Sequence, residues 1–132
     1  MPDDFLSNLQ RAIDGLFYLS ESDEPFVLVH GPKKTRPIDR AAILKLSSLP
    51  SNTHVETQSV EEFFADLTKD EDWHGAEEKA EVQKYRKLRE VITQGLTDVK
   101  VFRAGKVKVD IFIVGRTPDG ALAGVRTKAV ET

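Results

Sequence analysis

The stretch KVKVDIFIV, residues 106–114, decides the fold. Val107, Val109, Ile111 and Ile113 alternate along one side, the period of two that a strand imposes. Phe112 and Val114 occupy the other side, so the second half of the run is apolar on both. A strand of that kind needs cover on both faces. Its neighbours in sequence read the same way. Val99–Arg103 leads into it through Ala104-Gly105, and Pro118-Asp119-Gly120 turns the chain into Ala121–Val130. The last third of the chain is therefore β-rich.

Helical patterns lie on the N-terminal side of this block. Between Asp3 and Leu19, residues Phe5, Leu6, Leu9, Ala12, Ile13, Leu16 and Phe17 recur at spacings of three and four, one face of a helix. Asp3 and Asp4 stand where negative charge favours a helix start. Gly15 within that span costs about 1 kcal/mol relative to alanine, which points to close packing there. The helix should stop in Ser20–Pro25, because the residue before a proline avoids the helical region. Phe26–His30 reads as a short buried strand and Gly31–Pro37 as a basic polar loop. Ile38–Leu46 has a helical pattern that Ser47–Asn52 breaks, and His54–Thr57 is a weakly marked strand. Ser59 with Glu62 forms a capping box ahead of Phe63, Phe64 and Leu67, which predicts a short helix. A charged loop, Thr68–Gly75, holds the one tryptophan, Trp73. A long helix then runs from Ala76 to about Thr93, turning Ala80, Tyr85, Leu88, Val91 and Ile92 inward, with Gly95 as its C-cap. The predicted fold is α/β (α+β): one domain, residues 1–132, with a mostly antiparallel sheet between helices and no internal repeat.

Composition narrows the function. The 132 residues suffice for a real core, and 39% hydrophobic with 31% charged residues describe a soluble globular chain. There is no cysteine, hence no disulfide framework, thiolate zinc site or cysteine nucleophile. The acidic start Met1-Pro2-Asp3-Asp4 is unlike a signal peptide, and no segment is apolar for long enough to span a membrane, so a cytoplasmic protein is expected. With 22 acidic against 19 basic residues the net charge is −3, the wrong sign for a nucleic-acid binder and better suited to a basic protein partner.

Candidate chemistry is sparse. His30, His54 and His74 fall in separate segments without the spacing of a zinc site. Gly115–Gly120 is hairpin punctuation rather than a phosphate cradle, and no serine sits in a nucleophile elbow. The carboxylates Glu21/Asp23/Glu24 and Asp70/Glu71/Asp72 read as solvated loops for any catalytic purpose. Lys33, Lys34 and Arg36 form a small basic patch with no aromatic residue among them, unlike a stacking platform for single strands. The sequence predicts no catalytic residue, no cofactor and no metal site in the isolated chain.

Particular strings carry the reading further. Asp14–Phe26, then Asp72-Trp73 ahead of an acid-rich helix start with Lys87–Ile92, then Val109–Gly115, Thr117–Gly120, Leu122–Val125 and Thr127–Thr132 resemble, in order, the nuclease A inhibitor family. The likeness is weakest over Leu28–Ser59. It implies a three-layer α/β/α sandwich and a monomeric, non-enzymatic inhibitor. Its implied partner, bound one-to-one, is a bacterial DNA/RNA-nonspecific endonuclease of the ββα-metal type, with no direct contact to nucleic acid or membrane. The family's enzyme-contacting positions fall on Glu21, on Asp72 and Trp73, and on Thr132, the last within reach of the metal of the bound nuclease.

Each position has a plain reading beside that one. Glu21 is either a solvated loop acid or a carboxylate imitating a phosphate toward an arginine. Trp73 either folds onto the adjacent helix or anchors an interface. Thr132 is either a frayed end or a source of hard oxygen donors suited to Mg²⁺. The competing function is a non-catalytic interaction module of the same fold whose partner is not a nuclease.

Overall fold

The computed structural model describes residues 2–19, 23–30, 43–44, 49–50, 52–68, 75–118 and 120–130. Helix α1 spans Pro2–Ile13 and stops six residues short of the expected Leu19. Leu9 and Ile13 are buried, with Phe5, Leu6 and Ala12 packed beside them, so the apolar face is the one the spacing predicts. Gly15 ends it. At φ +72° it enters the left-handed region, while Asp14 N–H and Leu16 N–H close the last turn onto Gln10 O and Ile13 O. An added Cβ at Gly15 would meet nothing within 4 Å, so backbone conformation rather than close packing selects the glycine.

The residues read as the tail of that helix and its exit instead begin a small hairpin. Strand β1 (Phe17–Leu19) pairs antiparallel with β2 (Asp23–Pro25), Phe17 opposite Pro25 and Leu19 opposite Asp23. Phe26, buried, joins it to β3 (Val27–His30). Of the next segment only Ile43 and Leu44 are described before Leu49; both are helical and buried, as the expected second helix requires. The basic loop Gly31–Pro37, with Lys33, Lys34 and Arg36, lies outside the described residues. Strand β4 (Val55–Gln58) is followed by helix α2 (Val60–Leu67). At its start Ser59 Oγ accepts from Glu62 N–H at 3.1 Å, the cap the sequence predicts, while the Glu62 carboxylate accepts from the Ser59 hydroxyl at 3.2 Å where a full capping box would have it accept from the Ser59 backbone N–H.

Helix α3 (Ala76–Gly95) turns Tyr85, Leu88 and Ile92 fully inward and leaves Val91 half-buried. Ala80, expected inside, is exposed, and Val82 takes the buried place. Gly95 is the last residue of the helix rather than a left-handed cap; the Phe5 ring of α1 fills the space its Cβ would occupy.

Strands β5 (Thr97–Ala104), β6 (Lys108–Arg116) and β7 (Leu122–Val130) follow consecutively. The sheet order is β3-β7-β6-β5-β4, every pair antiparallel. β6 takes the centre because both its faces are apolar. Val109, Ile111 and Ile113 join Val101, Ala123, Val125 and Ala129 against the three helices. Phe112 and Val114 join Val29, Phe102, Leu122 and Ile43 on the opposite face. Burying a large aliphatic or aromatic side chain contributes about 1.5–3 kcal/mol, and five such residues on one strand outweigh any local preference for an edge. Val107, expected on the inner face, is 54% exposed in the turn before β6.

Candidate partner interface

The four residues singled out for partner contact, Glu21, Asp72, Trp73 and Thr132, lie outside the described residues. Their flanks are described. Glu21 falls between β1 and β2, Asp72 and Trp73 between α2 and α3, and Thr132 beyond β7.

Register and direction relate these flanks. β7 finishes at Val130, opposite Lys108 at the start of β6. β3 runs against β7 with Val27 opposite Arg126, so the chain followed backward from Val27 through Pro25 travels the way β7 travels toward its end. Thr127 marks the level: its Oγ1 donates to Pro25 O at 2.9 Å. β5 begins beside Arg116, at the other end of the sheet, and α3 delivers the chain there. The twenty residues of α3 extend about 30 Å back from that point, which carries Ala76 toward the end where β7 finishes. The Leu19–Asp23 end of the β1–β2 pair and the last residue of β7 thus lie toward one end of the molecule, where Tyr85 of α3 meets Phe17 and Phe26.

Buried side chains hold that end together. Tyr18 stacks on Phe63 of α2 at 5.9 Å between centroids, and Phe26 meets Tyr18 and Tyr85 edge-on at 6.4 and 6.3 Å. Such pairs add about 0.5–1.5 kcal/mol each beyond their burial. The Tyr85 hydroxyl, on α3, donates to Phe17 O in β1. Burial pushes the Tyr85 phenol well above its ordinary value of about 10, and the Glu81 charge and Tyr18 add to the effect, so it keeps its proton and remains a donor. Next to it, Arg86 Nη2 donates to Thr68 O at 2.9 Å, where α2 ends. Thr68 closes that helix itself, its Oγ1 donating to Phe64 O at 2.7 Å. Thr127, 3% exposed, completes the set from β7.

None of these anchors was visible in the sequence. Tyr85 was legible as an inward residue of an amphipathic helix, but its hydroxyl partner is 68 residues away and carries no local signal. Thr127 resembles any strand threonine until β2 is known to lie beside it.

Among the described residues no group of three or more His, Asp or Glu is placed to hold a metal ion. His54 pairs with the Glu56 carboxylate at 3.1 Å at the exposed β4 edge, His30 is exposed on β3, and His74 lies outside the described residues. No described helix is long and apolar enough to cross a membrane. What the arrangement offers is a set of packed, hydrogen-bonded element ends: those of β1, β2, α2, α3 and β7. Compared with models of protein families, residues 3–132 match the one described as nuclease A inhibitor-like protein. No curated protein matches the chain.

Proposed function

Because this chain belongs to the nuclease A inhibitor-like family, we propose that it blocks the active site of a sugar-nonspecific, metal-dependent endonuclease of the ββα-metal type, bound one-to-one. The family match over nearly the whole chain carries this reading. The described anchors support it, since they border the segments that hold Glu21 and Asp72-Trp73.

The proposed chemistry follows from what a nuclease cleft must do. A cleft built for a polyanion is cationic, so the Glu21 carboxylate takes the place of a phosphate and accepts a charge-assisted, bidentate contact from an arginine. Asp72 and Trp73 supply an acidic neighbour and a large amphipathic anchor. The Thr132 hydroxyl is a hard oxygen donor suited to the nuclease-bound Mg²⁺. The chain contributes no reaction step of its own. It excludes substrate. We read it further as a monomer acting in the cytoplasm, with a three-layer α/β/α build, a reading supported by the helical residue Ile43, buried with Phe112 and Val114.

The test is inhibition of such a nuclease on DNA and on RNA in parallel. Blocking the cleft ignores the sugar, so both activities should fall together with the same inhibition constant. Glu21→Ala and Trp73→Ala should each weaken binding by about 2 kcal/mol, roughly thirtyfold, with little change in the thermal midpoint. Thr132→Ser should be mild and Thr132→Val marked when Mg²⁺ is present. Inhibition of one substrate alone would contradict occlusion of the active site.

A further inference from the structure

A groove of about 540 Å³ runs between α1 and α3, inside the range of about 300–1,000 Å³ that small-molecule sites occupy. Two contacts fix how these helices lie. The Phe5 ring of α1 fills the space beside Gly95, the last residue of α3. Tyr85, earlier in α3, donates to Phe17 O just past the end of α1. The helices are therefore antiparallel, and residues along the groove pair by level. At a rise of about 1.5 Å per residue, Arg11 lies about 9 Å and Lys87 about 12 Å from the contact of Phe5 with Gly95. The two cations, one from each helix, thus share one end of the groove.

The lining is graded along its length. Arg11 and Lys87 stand at one end, Asn8 and Glu90 in the middle, and Phe5 and Gln94 at the other end. Phe5, Ala12 and Val91 are half-buried and form the apolar floor, while the polar residues are exposed above it. The fold makes no other use of the polar set. Neither Arg11 nor Lys87 has an ion pair or hydrogen bond with a described residue, and neither has Glu90. Two cations against one carboxylate also give the groove the opposite sign to the chain, whose net charge is −3.

We infer that this groove is a binding site for a mononucleotide, a nucleoside carrying one phosphate. Arg11 and Lys87 take the phosphate, a fork and a point charge converging on one anion. Glu90, a turn further along, accepts from the sugar hydroxyls. Phe5 offers its ring to the base, and the Asn8 and Gln94 amides, each both donor and acceptor, meet the base edge. A purely apolar anion such as a fatty acid fits the cation end but strips water from Asn8, Glu90 and Gln94 without replacing their hydrogen bonds, which is unfavourable. None of the lining residues is a proposed nuclease contact, so the site is decided without a nuclease.

The experiment titrates the full chain with adenosine 5′-monophosphate, adenosine, inorganic phosphate and decanoate, following backbone amide shifts by NMR and affinity by calorimetry. The monophosphate should bind at least tenfold more tightly than any of the other three, with shifts concentrated in residues 5–12 and 87–95. Arg11→Met and Lys87→Met should each weaken it about tenfold, the loss expected for one charged hydrogen bond. Arg89→Met, a cation on α3 outside the lining, should leave it unchanged. Phe5→Leu should weaken the monophosphate and leave phosphate alone unaffected. The 2′,3′-dideoxy analogue should bind less well than the monophosphate to the parent, and equally well to Glu90→Ala. All of these side chains but Phe5 are exposed, so thermal midpoints of their variants should match the parent.

Phosphate binding as tightly as the monophosphate would reduce the groove to an anion site and overturn the inference, and so would a preference for decanoate. Shifts centred elsewhere, equal losses in Arg89→Met and Lys87→Met, or no binding at millimolar monophosphate would overturn it too. The outcome leaves the proposed inhibition of a nuclease untouched, since that is measured on a different partner and on other residues.

Discussion

At the scale of single residues, two glycines with different reasons make a discriminating pair. Gly15 has open space around its missing Cβ but a φ of +72°, so Gly15→Ala should cost only the left-handed penalty, about 1 kcal/mol. Gly124 lies opposite Val114 in the middle of the sheet; its φ is also positive, +157°, and in addition a Cβ there would run into Ile113 O and Val114 Cα. Gly124→Ala must push two strands apart and should cost about 3 kcal/mol. Denaturant unfolding of both variants checks the ranking; equal losses would mean that one of these reasons is misassigned. The sequence showed only that both positions are glycine. Gly15 sits inside an unbroken three-and-four apolar spacing, and the pattern alone extends the helix through it to Phe17. Conformation overrode periodicity there because a single left-handed residue is enough to redirect the chain.

At the scale of elements, features written in adjacent residues were legible and features written across the fold were not. The capping box at Ser59 is a four-residue signal, and its N-cap bond from Glu62 N–H to Ser59 Oγ forms as read. Ser59→Ala removes the acceptor for Glu62 N–H and should lower stability by about 1 kcal/mol, measurable as a shift of the unfolding midpoint with an unchanged denaturant slope. The strand β6, with its two apolar faces, announced its central position for the same reason: burial on both sides is encoded in consecutive letters. The β1–β2 hairpin was illegible. Its six residues are read as a helix end and a polar exit, and they become strands because Tyr85 and Thr127 supply partners from 60 to 100 residues further on. The candidate contact residues Glu21, Asp72, Trp73 and Thr132 were named by resemblance, and the physics of the segments that carry them was read in the flanks.

At the scale of the whole molecule, Tyr85 links these packed element ends to global stability through its proton. Burial holds the folded-state phenol above its ordinary value of about 10, whereas the unfolded chain ionises near that value. Below about pH 10 both states keep the proton and the group contributes no pH dependence. Above it the unfolded chain releases a proton that the native state retains, so stability falls as pH rises, by up to about 1.4 kcal/mol per pH unit. Tyr85→Phe should abolish that component: unfolding midpoints of parent and variant compared between pH 8 and pH 11 should converge at the alkaline end. Parallel curves would show that the phenol is not the group responsible.

The strand order also sets a schedule. The three central strands, β5, β6 and β7, are contiguous in sequence and come last, while the two edges, β3 and β4, come from the first half of the chain. β3 pairs with β7, about a hundred residues later, and with no other strand among the described residues, and β2 is held by Thr127 of the same strand. Synthesis on the ribosome runs in the opposite order to this dependence. β4 meets β5 earlier and β1 pairs locally with β2, but β3 must wait until Leu122–Val130 has emerged before it finds its place. The last strand thus closes the sheet and anchors β2 in one event, so the edge strand and the hairpin arm are secured together.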